Sequence, residues 1–110
     1  MALPKKNRLT SKKEIDHIFK NGRTVKGSFL FIKLLDNPRG YSRFAFIVPS
    51  KYAPLAVDRN RTKRALSEEV RRTPILSGKS HDVIVSVFKK ITKSELDSLT
   101  RELRELLSKV

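Results

Sequence analysis

The chain has 110 residues, no cysteine, and 25 Lys+Arg against 11 Asp+Glu, a formal net charge of +14. That length makes one domain, and a hydrophobic fraction of 38% is enough for a core, which argues against global disorder. The missing cysteine excludes disulfides, thiolate nucleophiles and sulfur-ligated zinc, while the charge excess calls for a polyanionic partner, nucleic acid before an anionic membrane surface.

In chain order, residues 1–10 read as an extended basic arm with Lys5, Lys6 and Arg8, and Leu9 as an anchor. The stretch MALPKKNRL has no apolar segment after its charges, so it does not read as a secretory signal. Ser11-Lys12-Lys13-Glu14 fits a capping box, and Ile15, Ile18 and Phe19 make one apolar stripe, which predicts a helix over 11–21 closed by Asn21-Gly22 as a left-handed cap. Strands are expected within 24–49. Ser28–Leu35 and Arg43–Val48 flank the turn Asn37-Pro38-Arg39-Gly40 and are expected to pair as an antiparallel hairpin, with Val25–Lys26 as a lead-in or a further short strand.

No glycine or proline interrupts Ala56–Arg72, so a basic helix is expected over 55–72, stopped by Thr73-Pro74 and followed by a loop at Leu76–Ser80. A strand over 81–89 comes next. Thr92-Lys93-Ser94-Glu95 is a second capping box, opening a helix over 92–108 with the stripe Leu96, Leu99, Leu103, Leu106, Leu107. The order α-β-β-α-β-α implies an α+β fold: a single-domain α-β sandwich with three helices on a small mixed sheet. No apolar run approaches the roughly 18 residues that cross a bilayer, and the expected setting is the cytoplasm, away from membranes.

At about 100° per residue, the basic helix places Leu55, Thr62, Leu66 and Val70 on a buried stripe, and Asn60, Arg64, Ser67 and Arg71 on the opposite side with Arg61 beside them. Forked guanidiniums suit phosphate oxygens, and an amide can meet a base or sugar edge. Arg59 falls inside the apolar stripe, against the local pattern. Catalytic candidates are poor. His17 and His81 show no metal-ligand spacing, the carboxylates are scattered, and there is no glycine-rich phosphate loop. The phenylalanines Phe29, Phe31, Phe44, Phe46 and Phe88 are expected to be mostly core, with any on an uncovered sheet face free to stack bases.

The run Ala56-Val57-Asp58-Arg59-Asn60-Arg61-Thr62-Lys63-Arg64 resembles the Arg-Asn-Arg signature of the bacterial ribonuclease P protein family. The likeness extends to Lys6-Asn7-Arg8-Leu9, Phe19-Lys20-Asn21-Gly22, and Phe46-Ile47-Val48 followed by Ser50-Lys51. It implies a subunit that binds a large catalytic RNA, one protein per RNA, and helps it remove the 5′ leader of precursor tRNA. The RNA performs the hydrolysis with magnesium, and the protein itself holds no cofactor and no catalytic residue. By this resemblance Arg59, Asn60, Arg61, Lys63, Arg64 and Arg71 face the catalytic RNA. Ile15, Phe19, Phe31, Ile32, Lys51 and Tyr52 line a leader cleft, and Lys5, Lys6 and Arg8 form a basic arm. It also implies a fold like the second domain of ribosomal protein S5, with a left-handed βαβ crossover through the signature helix. The chain departs from the family pattern at Ile15 and Ile32, where the family often has aromatics, at Tyr52 and Pro54 before the signature, and at Ser67 where arginine is common.

Overall fold

A computed structural model describes residues 3–72 and 80–109; the expected helix stop at Thr73-Pro74 and nearly all of the loop Leu76–Ser80 lie outside them. The main elements are α1 (Lys12–Asn21), β1 (Arg23–Lys26), β2 (Leu30–Asp36), β3 (Arg43–Ile47), α2 (Ala56–Arg72), β4 (His81–Val87) and α3 (Leu96–Ser108), with 3-10 turns at Lys5–Asn7 and Lys93–Glu95. The sheet is mixed and four-stranded, in the order β1-β2-β4-β3. β1–β2 and β2–β4 are antiparallel, and β3–β4 is parallel.

The expected hairpin between β2 and β3 does not form: β4 lies between them. Every residue of β4 is buried, so this strand gains most from the centre of the sheet, with both edges paired and both faces covered. β3 instead feeds α2, which crosses over to return the chain parallel to it. The hairpin that does form is β1–β2, and the lead-in at Val25–Lys26 is part of β1.

Strand alternation sorts side chains onto two faces. Leu30, Ile32, Leu34, Phe44, Phe46, Val83, Val85 and Val87 pack against Leu66 and Val70 of α2 and Leu99, Leu103, Leu106 and Leu107 of α3. Truncating any fully buried leucine of this set to alanine costs about 2–5 kcal/mol. On the other face Ala45 and Ile84 meet Ile18 of α1 and Leu9, with Ile15, Phe19, Leu35 and Ile47 packed around them.

The helix ends follow the local chemistry in part. Ser11 Oγ accepts from the Glu14 amide at 3.4 Å, and the Glu95 carboxylate accepts from Thr92 N and Oγ1 at 3.1 and 2.8 Å. Gly22, however, is extended (φ −77°), not left-handed. It is small because a Cβ there would stand 2.7 Å from the Ile18 carbonyl and 2.9 Å from that of Leu34. Only Gly40, in the turn before β3, takes a left-handed φ among the described residues (82°).

Two charged clamps fix the layers. Arg43 of β3 donates Nε and Nη2 to Asp82 of β4 at 2.8 and 2.7 Å, and its other guanidinium edge reaches Glu14 of α1. Glu102 of α3 accepts the backbone amides of Ser28, Phe29 and Leu30 at 2.6, 2.8 and 3.0 Å, which holds the β1–β2 turn onto that helix. A Cβ at Gly27 would come within 2.5 Å of the Glu102 carboxyl carbon, so the turn needs glycine for this approach.

The N-terminal segment is not an extended arm. Leu3 and Leu9 are both buried. Asn7 donates to the Ser42 carbonyl at 2.7 Å, Leu9 N to Phe44 O at 2.8 Å, and Arg8 Nε to Leu3 O at 3.0 Å. The sequence signal for docking was the pair of leucines flanking the cations: two apolar anchors lash the segment to the outer edge of β3.

Candidate nucleic-acid interface

Helix α2 buries Thr62, Leu66 and Val70 as its periodicity requires. Two expected positions differ. Leu55 precedes the helix and is 62% exposed, with Val57 beside it at 60%. Ser67 is fully buried and donates to the Arg64 carbonyl at 3.0 Å, so it belongs to the packed side rather than the basic face. The buried arc is wider than the apolar residues suggest, because Glu69 is also inside it, paired with Arg104 of α3 at 3.0 Å. Arg104 itself comes from α3, and nothing near α2 in the sequence announces it.

The outward side carries Asn60, Arg61, Arg64 and Arg71, all exposed, with Lys63 half-buried at its flank. Arg61 lies 3.3 Å from Asp58 and Arg71 2.9 Å from Glu68, exposed pairs one helical turn apart. Such pairs contribute about 0–1 kcal/mol and exchange readily for phosphate. Glu68, spaced to meet Arg64, engages Arg71 instead, and Arg64 has no carboxylate partner among the described residues. Arg59 donates Nη1 to the carbonyls of Ala53 at 2.9 Å and Pro54 at 2.8 Å. The cation that broke the apolar stripe therefore ties the incoming loop to the first turn of α2.

A groove runs along the sheet face that α1 covers only in part. Register places Lys26, Phe31, Ser86 and Ile47 in one row across the strands, and Thr24, Lys33, Ile84 and Ala45 in the next. Ile18 of α1 packs on the second row, and half-buried Ile15 and Phe19 edge it. Phe31 faces the groove. Ile32 does not: it is fully buried on the opposite face, under the other two helices, since neighbouring strand residues point to opposite sides. Lys33 occupies the groove floor, with Nζ donating to the Phe19 carbonyl at 3.2 Å. Phe88, just past β4, stacks on Phe31 with ring centroids 6.2 Å apart. Lys33 did not stand out in the sequence, and Phe88 stood out only as one of five phenylalanines expected to be mostly core, since the placement of both depends on the parity of β2 and β4. Phe44 and Phe46 are core, and Phe29 packs on the buried face.

β3 and β4 run parallel, so their C-terminal ends lie together, and the β1–β2 turn is at the same end. Phe31, Phe88 and the loop that carries Lys51 and Tyr52 after β3 therefore lie towards the same end of the sheet. Lys51 Nζ sits 5.3 Å from the Tyr52 ring centroid. Lys6 takes a similar place over Tyr41 at 5.5 Å, on the docked N-terminal segment. Lys5 is exposed beside it and Arg8 half-buried.

The histidines do not form a reactive centre. His17 is exposed and lies 3.2 Å from the Asn21 amide. His81 is buried, its Nδ1 2.8 Å from Asp36 Oδ1 without the alignment of a hydrogen bond. Among the described residues, no group of three or more His, Asp or Glu side chains is gathered that could hold a metal ion. Among the same residues, no helix is long and apolar enough to cross a membrane.

The family model for ribonuclease P matches residues 3–110. The chain belongs to the ribonuclease P protein family. It is 31% identical over 107 residues to the ribonuclease P protein component of Syntrophomonas wolfei, covering 97% of this chain and 89% of the relative. It is 34% identical to that of Dehalococcoides mccartyi strain CBDB1, covering 94% and 83%. Its fold superposes on the ribonuclease P protein of Thermotoga maritima with a TM-score of 0.81 at 27% identity, covering 94% of this chain and 96% of the other. A Staphylococcus aureus ribonuclease P protein gives 0.78 at 25%, covering 94% and 87%. The small α+β sandwich with three helices and a four-stranded mixed sheet is thus the ribonuclease P protein fold, and the chain is a protein component of that tRNA-processing ribonucleoprotein.

Proposed function

We propose that this chain binds the catalytic RNA of ribonuclease P through the outward side of α2 and holds the 5′ leader of precursor tRNA in the groove beside α1. The observation that carries this is the division of labour in the fold. One helix presents Asn60, Arg61 and Arg64 outward without any strong internal ion pair, and a separate groove offers Phe19, Phe31 and nearby lysines. Guanidiniums on a rigid helix suit a structured RNA backbone, and aromatic rings on a partly covered sheet suit unpaired bases. Arg59 acts by bracing the helix start, so its contribution to the RNA is positional. One protein engages one RNA. The RNA performs the hydrolysis, and the magnesium implied by the family serves that RNA; the carboxylates here are committed to clamps and pairs on separate elements.

The two surfaces separate experimentally. Phe19→Ala should weaken binding of leader-bearing precursor to the reconstituted enzyme and leave leaderless mature tRNA unaffected. Equal losses on both substrates would remove the leader from the groove.

A further inference from the structure

Burial does not account for two apolar side chains at the start of α2. Leu55 and Val57 are the large apolar side chains left exposed among the described residues. Local preference does not account for them either. Leu55 stands immediately ahead of α2, and its carbonyl accepts the amides of Asp58 and Arg59, each at 3.1 Å. That position favours a short polar side chain that accepts from the first turn, which leucine cannot do. Val57 lies in the first helical turn, where a β-branched residue loses rotamer freedom. The pair is nevertheless held firmly. The Arg59 guanidinium grips the Ala53 and Pro54 carbonyls at 2.9 and 2.8 Å, Ala53 N donates to Pro49 O at 3.1 Å, and Pro54 fixes its own φ. Val57 also precedes Asn60, Arg61 and Arg64 at helical spacing, so it heads the row that these exposed side chains form.

We infer that Leu55 and Val57 form an apolar contact with an unstacked base of the catalytic RNA, next to the phosphates that Arg61 and Arg64 engage. The inference rests on the assignment of that RNA to the outward side of α2. Unpaired bases in loops and bulges offer flat apolar faces that a duplex hides. Methyl groups on a braced turn cover such a face without stripping water from a polar group. The occupant follows from continuity and charge. A polyanion seated on Arg61 and Arg64 lies against Val57, one helical turn away. A second copy of this chain fits poorly, because a two-fold contact through the patch would bring the Arg61 and Arg64 of both copies together, each in a chain of net charge +14. The two kinds of contact divide the work. The guanidiniums supply affinity that falls with salt. The apolar pair supplies affinity that salt does not screen, and only where the RNA has an open base, so it favours a folded RNA with exposed loops over uniform duplex.

The test measures binding of the purified chain to a bacterial ribonuclease P RNA over a series of salt concentrations. Leu55→Ser combined with Val57→Ala supplies a better cap and a better helix former, so urea titration should find the free double variant at least as stable as the unaltered chain. Its affinity for the RNA should nevertheless fall roughly 10- to 100-fold, the range for withdrawing one or two aliphatic side chains from a buried contact. The fall should be the same at every salt concentration, whereas Arg61→Ala and Arg64→Ala change the slope. The heat-capacity change on binding should become less negative in the double variant. Leu55→Met with Val57→Ile keeps the apolar surface and should bind as the unaltered chain does. A plain RNA duplex should bind the unaltered chain and the double variant alike. Unchanged affinity of the double variant for the catalytic RNA, or an equal loss on plain duplex, would refute the base contact while altered slopes in the arginine variants keep the RNA on this helix. Unaltered slopes in both arginine variants would remove the RNA from the outward side of α2, and the inference with it. Self-association of the unaltered chain in sedimentation, abolished in the double variant with RNA affinity retained, would assign the patch to a second copy instead.

Discussion

Arg43 joins three elements through one guanidinium, and Arg43→Met tests how much of the fold depends on it. The side chain is 11% exposed, as is that of Asp82, whereas Glu14 is 40% exposed. Removing the guanidinium strands Asp82 with one remaining side-chain donor, Asn37 Nδ2 at 2.8 Å. Breaking a buried pair by deleting one partner costs about 3–5 kcal/mol. The surviving Asn37 bond offsets part of that, and the exposed Glu14 arm adds no more than about 1 kcal/mol. The expected loss is therefore about 2–4 kcal/mol. At about 4–8 °C per kcal/mol for a domain near this size, the melting temperature should fall by roughly 10–30 °C. Urea titration followed by circular dichroism gives the free energy directly, with an unchanged m-value showing that the cost is one of stability. Asp82→Asn in the Arg43→Met background should recover about half of the loss or more, because no buried charge is then left unpaired. A loss below about 1 kcal/mol, or additive single and double variants, would refute the clamp.

Three further outcomes follow from the same geometry. Glu102→Ala removes the acceptor of three backbone amides at the β1–β2 turn, two of them partly buried, and should cost about 1–3 kcal/mol in urea titrations; a change within about 0.5 kcal/mol would show that water replaces it fully. Hydrogen bonding to Arg43 holds the Glu14 carboxyl below its ordinary value of 4.5, so its stabilisation is complete above that pH and fades as pH falls through the lowered folded-state value. The stability difference between the unaltered chain and Glu14→Gln should accordingly shrink towards zero on acidification, and a difference constant with pH would contradict the pairing. Arg64→Ala should reduce the salt slope of binding to the catalytic RNA by about one unit, and an unaltered slope would place Arg64 away from phosphate.

Helix positions were legible because their signals are local. Ser11 and Glu14, Thr92 and Glu95, and the uninterrupted run from Ala56 to Arg72 each carry their own boundary chemistry. Sheet order was not, because hydrophobic alternation tells which face a residue takes and not which strand lies beside it. The wholly buried β4 could have been given the centre on that ground alone, yet its sequence neighbours pointed to a β2–β3 hairpin. Parity decided the groove: an offset of one residue separates Phe31, which faces it, from Ile32, which lies in the core. The α2 wheel failed at Leu55 and Ser67 for a related reason. The helix starts after Leu55, and α3 widens the buried arc on the other side to take in Ser67 and Glu69. Arg59 looked misplaced on the wheel because its partners are loop carbonyls, which no periodicity encodes.

The central claim is that this protein works by positioning RNA, with the RNA as the catalyst. It is tested most directly by mixing the purified chain with a bacterial ribonuclease P RNA and leader-bearing precursor tRNA at magnesium too low for the RNA alone. The account predicts that cleavage rises with the chain at equimolar RNA and that the chain without the RNA cuts nothing. Cleavage by the chain alone, or no rise with the RNA present, would contradict it.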